Sequence, residues 1–224
     1  YNQRWEISHS EFTDAHDGVY LGDIDGVKFH HNYVHNLQDD GIYLSSFRGL
    51  HQPQHGPREI YQNVITGCLM AFAFGGDGHL TTEVYVYRNI LDGSTAIADH
   101  GSPPWESMRW YHNTILANPQ SILSSRTGGR SWQVFNNLLL VGNRTEGKPQ
   151  EGAAWGGNVA GDPNFAKSED FQLPLGSKAI DAGVPIPHDW PDPLKSQDKG
   201  QPDAGAIPLG SEPIKVGRHG RLSF

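Results

Sequence analysis

Three aspartates near the start of the chain have the type and spacing for acid/base chemistry. Asp17 stands in His16-Asp17-Gly18-Val19-Tyr20-Leu21, and the chain nearly repeats itself at Asp39-Asp40-Gly41-Ile42-Tyr43-Leu44. If the two segments occupy the same place in successive layers of a stacked structure, the acids before Gly18 and Gly41 come within one strand spacing, roughly 5 Å. Like charges that close resist ionising together. One acid then keeps a proton while its neighbour carries charge, which is what cleaving a glycosidic bond requires. Each Asp-Gly taken alone is ordinary turn chemistry. Stacked, with Asp39 added and Tyr20 and Tyr43 aligned beside them, Asp17, Asp39 and Asp40 become the catalytic candidates.

Stacked layers are what the rest of the chain predicts. An apolar-x-x-Asn-x-apolar pattern recurs at Ile7…Ser10…Phe12, Phe29…Asn32…Val34, Ile60…Asn63…Ile65, Val86…Asn89…Leu91, Trp110…Asn113…Ile115 and Val134…Asn137…Leu139, with central positions 22, 31, 26, 24 and 24 residues apart. That period fits one coil of a right-handed parallel β-helix, three short strands per coil. Asparagine suits the central slot because its amide tolerates an αL-like bend and hydrogen-bonds to equivalent amides above and below. Alternation then assigns faces, with Val27, Phe29, Ile42 and Leu44 inward and Lys28, His30 and Tyr43 outward. Strands are expected over 27–31, 33–36 and 41–46, and variable loops over 47–58, 75–83 and 100–107 gather on one side.

The fold class is therefore all-β, with coils over residues 1–144 and the last coil plus an irregular cap over 145–224. The tail, rich in Pro and Gly, is expected to cover the open end of the last coil. No such cap precedes Tyr1, so the first coil is expected to be covered by upstream chain or by another subunit, and the chain to be the C-terminal part of a longer one. A net charge of −8 without a basic cluster argues against a nucleic-acid partner. No apolar run reaches the length of a membrane span. The single cysteine, Cys68, permits no internal disulfide and is expected to be buried.

The Asp17 and Asp39-Asp40 pattern resembles the polygalacturonase family of β-helical glycoside hydrolases, which carries Asn-Thr-Asp-Gly and then Asp-Asp about twenty residues on. The resemblance implies that these acids act as general acid and water-activating bases. It spans two coils. Where that family carries Gly-His-Gly, this chain reads Leu69-Met70-Ala71-Phe72-Ala73-Phe74, and the family's Arg-x-Lys has no counterpart. More broadly the chain resembles the pectate-lyase-like superfamily, and its tail, with Asp162-Pro163, Phe165, Asp170-Phe171 and Ala179-Ile180-Asp181-Ala182-Gly183, resembles a C-terminal segment of bacterial β-helix proteins.

The leading expectation is a secreted, periplasmic or cell-surface enzyme that cleaves glycosidic bonds of a polysaccharide or oligosaccharide. Tyr20, Tyr43 and Trp105 offer rings for sugar stacking, and Arg48, His51, His55, Arg58, Asp77 and His79 are further substrate-binding candidates on the loop side. Two alternatives stand beside it. One is a lyase or epimerase acting on a uronate with Arg48, Arg58 or Lys28; the other is a non-catalytic binding, tailspike or adhesin module. No cofactor is required, although Asp17, Asp23, Asp25, Asp39 and Asp40 leave room for Ca²⁺. His9, His31, Arg88 and His112, each just before a ladder slot, read as structural.

Overall fold

The computed structural model describes residues 3–22, 25–46, 57–76, 83–99, 108–116, 132–140, 153–162, 165 and 170–220. The first coil is β1 (Gln3–Ser8), β2 (Glu11–Ala15) and β3 (Val19–Gly22); the second is β4 (Asp25–His30), β5 (Tyr33–Leu37) and β6 (Asp40–Ser46). In the next two coils the second and third strands merge, giving β7 (Arg58–Tyr61) with β8 (Val64–Gly76) and β9 (Val84–Tyr87) with β10 (Ile90–Asp99). Shorter pairs follow: β11 (Met108–Tyr111) and β12 (Thr114–Ile115), β13 (Gln133–Phe135) and β14 (Leu138–Leu139), β15 (Ala154–Gly156) and β16 (Val159–Ala160).

Every pairing among the described strands is parallel and joins one coil to the next. One sheet runs β1-β4-β7-β9-β11-β13-β15, and the other runs β2-β5-β8-β10-β12-β14-β16, with β3 and β6 pairing on toward β8. The chain is thus a parallel β-solenoid. Inward rows such as Val27, Phe29, Ile42, Leu44, Ile60, Phe72, Val86 and Trp110 fill its core, and Cys68 is buried as expected.

The asparagine ladder holds the corner between the two sheets. Each Nδ2 group donates to the next Oδ1 from Asn32 to Asn63 (3.1 Å), Asn89 (3.0 Å), Asn113 (3.1 Å), Asn137 (2.9 Å) and Asn158 (2.8 Å). Asn158 extends the ladder past the point where the repeat was expected to fade; Trp155-Gly156-Gly157-Asn158-Val159-Ala160 carries the same pattern. The bend itself sits one residue earlier than expected. His9, His31, Gln62, Arg88, His112, Asn136 and Gly157 all have φ between 51° and 64°, which turns the chain just before the ladder slot, held by Ser10 in the first coil and by Asn in the six that follow.

That αL row has a second use. The described residues of the tail run back along the side of the solenoid and dock on the row. Val184 exchanges hydrogen bonds with the Asn136 side chain, both at 2.8 Å. His112 Nδ1 lies 3.0 Å from the Asp203 carbonyl, and Arg88 reaches Asp192 and the Gly205 carbonyl. Gly217 N–H donates to the His31 carbonyl at 2.9 Å. Apolar contacts follow the same path, with Ile207, Ile214 and Val216 packing on Tyr33, Val64 and Ile90.

Candidate functional site

The acids lie at the corner between β2 and β3 and its counterpart between β5 and β6. Pairing fixes Ala15 opposite Leu37 on one side of the corner and Val19 opposite Ile42 on the other. The second coil therefore carries one extra residue. Backbone bonds locate it: Asp39 N–H donates to the His16 carbonyl (2.8 Å) and Gly18 N–H to the Asp40 carbonyl (2.8 Å), so Asp39 and Asp40 together face Asp17. This is a bulge, which re-aims side chains at a strand end.

Its consequence differs from the alignment of the two Asp-Gly pairs. Asp40, expected to stand over Asp17 at the surface, is 5 % exposed. Asp39 instead sits half-buried beside Asp17. His16 Nδ1 approaches Asp17 Oδ1 at 3.1 Å, and one donor atom each from His16, Asp17 and Asp39 lie within 4.8 Å of one another. The Asp40 N–H donates to Asp17 Oδ1 at 3.4 Å. Asp39 Oδ1 is buried and has no hydrogen-bond partner among the described residues. His16, which is not among the site residues expected from the sequence, therefore belongs to the cluster, and its adjacency to Asp17 is the signal that marks it.

The glycines after the acids are not αL turn residues, since neither has a positive φ. They are there for space. A Cβ on Gly18 would lie 2.3 Å from the Gly41 carbonyl oxygen, and one on Gly41 would lie 2.5 Å from Ile65 Cγ2 and 2.6 Å from the Ala71 carbonyl oxygen. Two residues beyond, Tyr20 and Tyr43 stack with centroids 4.4 Å apart and planes 12° apart, and Tyr20 is 53 % exposed. Burial raises the pKa of the Tyr20 hydroxyl, as do the charges of Asp17, Asp40 and Asp39, against a smaller opposing effect of its hydrogen bond with Tyr43. In the next coil the same rows read Leu69, Met70 and Ala73, so the polar surface ends at an apolar wall.

Other candidates fall elsewhere. Arg58 belongs to β7 in the opposite sheet, pairs in line with Val27 and Val84 and is 0 % exposed. Its slot is an inward one, so it is not a surface substrate ligand. Lys28 is also on that sheet and pairs with Glu59 at 3.5 Å. Trp5, in the same inward row but on the first coil, is 47 % exposed and lines a cleft of about 350 Å³ with Arg4, Lys28 and Glu59. Arg48, His51, His55, His79 and Trp105, with the Asp77 position, lie outside the described residues. Asp23 does too, and nothing is described of the Asp25 side chain. His112 and Arg88 have the structural role expected of them, as seats for the tail.

No protein-family model, curated protein or solved structure matches this chain.

Proposed function

We propose that this β-solenoid acts on carbohydrate and cleaves glycosidic bonds with Asp17 and Asp39 as the working pair. The observation that carries the reading is the bulge at Asp39-Asp40, which sets two carboxylates side by side on a surface flanked by the stacked Tyr20 and Tyr43. Carboxyl groups about 5–5.5 Å apart suit retaining hydrolysis, whereas inversion needs about 6.5–9.5 Å to admit a water. Donor atoms within 4.8 Å favour the retaining arrangement.

Asp17 receives the Asp40 N–H and sits against His16, contacts that hold its carboxyl group in place beside Asp39. It is the nucleophile. Asp39, whose Oδ1 receives no donor, delivers a proton to the leaving oxygen and then removes one from the water that releases the glycosyl–Asp17 ester. The exposed Tyr20 ring, held flat on Tyr43, gives a sugar ring an apolar face and a neutral hydroxyl donor.

Reducing-end release from a panel of neutral and acidic polysaccharides tests this. Asp17→Asn and Asp39→Asn should each lower the rate at least about 100-fold, while the proteins retain their β-sheet circular dichroism. Unchanged release in both variants would sink the assignment, and unsaturated products absorbing in the ultraviolet would indicate a lyase. Binding without turnover would leave a carbohydrate-binding module. A secreted or surface location follows from this reading as part of the same proposal.

A further inference from the structure

We infer that His16, Asp17 and Asp39 bind one divalent transition-metal ion of the zinc type. One imidazole nitrogen and two carboxylate oxygens, supplied by two coils, lie within 4.8 Å of one another. The 3.1 Å between His16 Nδ1 and Asp17 Oδ1 is close to the roughly 3.3 Å that separates two ligands on a tetrahedral ion with bonds of about 2.0–2.1 Å. The scaffold beneath them is set by the hydrogen bond from Asp39 N–H to the His16 carbonyl, so the two coils cannot slide apart.

Two further observations point to a cation. Asp39 Oδ1 is buried with no hydrogen-bond partner among the described residues, and a buried carboxylate oxygen without a donor is costly unless something positive meets it. Among the described residues, neither Asp17 nor Asp39 ion-pairs with a Lys or Arg, and His16 is the basic group that meets Asp17. The donor set also selects the ion. Ca²⁺ takes six to eight oxygens, whereas one imidazole, two carboxylates and open positions for water suit Zn²⁺ and its neighbours. The His16 side chain is 67 % exposed, which leaves it free to swing onto the ion.

Occupancy of this site would have a consequence that rests on the function proposed above. An ion held by Asp17 and Asp39 occupies the oxygens that must attack carbon and carry the proton, so metal binding and glycoside cleavage exclude each other.

Zn²⁺ titrated by calorimetry into the full chain, freed of metal beforehand, should bind with one-to-one stoichiometry at this site. His16→Gln and Asp39→Asn should each weaken that binding at least 10-fold, while His30→Gln leaves it unchanged. His16→Gln alters an exposed side chain, so its result stands even if Asp39→Asn fails to fold. Absence of Zn²⁺ binding, or binding unaffected by His16→Gln, would overturn the site. Ca²⁺ binding that is stronger than Zn²⁺ binding and indifferent to His16 would overturn the choice of ion. Where polysaccharide cleavage is observed, one equivalent of Zn²⁺ should suppress it and a chelator restore it; lack of any cleavage removes the proposed function but leaves the calorimetric result to decide the metal.

Discussion

At the scale of single residues, the glycines behind the acids are the most constrained positions. Gly41→Ala places a Cβ against Ile65 Cγ2 and the Ala71 carbonyl, neither of which is the tip of a flexible side chain. Overpacking of this kind costs about 1–3 kcal/mol, which urea denaturation should register as a lowered midpoint with an unchanged slope. The corner would also spread, so any activity should fall with it. Cys68 gives an independent check on packing at the same corner. Burial pushes its thiol up to about 12, with smaller contributions from Asp92 and Asp40. A thiol reagent should therefore leave the native protein unmodified at neutral pH and label it fully in denaturant; rapid native labelling would contradict the buried placement.

At the scale of elements, the corner ladder and the tail are two separate devices. Asn113 is fully buried, accepts from the Asn89 backbone and side chain, and donates to Asn137 and to the Val86 carbonyl. Asn113→Ala strands several of these groups without water, at about 1–3 kcal/mol for an unsatisfied one, so a loss of at least about 2 kcal/mol in equilibrium unfolding is expected. The tail is held differently. Arg88 and Asp192 form a buried pair at 2.8 Å, with Asp198 3.6 Å from the same guanidinium. Removing one partner of such a pair costs about 3–5 kcal/mol because the other charge stays buried. Asp192→Ala should therefore expose residues 184–217 to limited proteolysis before the coils themselves are cut; simultaneous cleavage throughout would mean that tail and solenoid unfold as one.

At the scale of the whole molecule, two histidines make stability depend on pH. His31 is lowered to about 4 by burial first and then by the nearby His30 and His9. His112 is lowered well below its ordinary value, by burial first and then by Arg88, against a smaller opposing effect of its bond to the Asp203 carbonyl. Both are bases that the unfolded chain protonates near pH 6.5 and the folded chain does not. Between about pH 6.5 and 4 the unfolded state thus binds more protons, and stability falls as the solution is acidified. The melting temperature should drop across that window. His31→Gln should flatten the slope; an unchanged slope in that variant would remove His31 as its source.

Much of this architecture was legible in the sequence because its cause is local and repeated. Alternation chose the inward rows, and a recurring Asn marked the corner from Asn32 to Asn137, since each coil must satisfy the same buried backbone groups in the same way. The tertiary structure decided what depends on register and on contacts distant in sequence. Asp39-Asp40 reads as two equal candidates until strand pairing shows that both face Asp17, one half-buried beside it and the other buried. Arg58 looks like a surface cation until pairing with Val27 and Val84 places it in an inward row. Composition marks the tail only as irregular; its course along the αL row depends on Arg88, His112 and Asn136 meeting Asp192, Asp203 and Val184, residues 48 to 104 positions away. A repeating sequence specifies the coil, while the bulge that singles out one corner exists only once the coils are stacked.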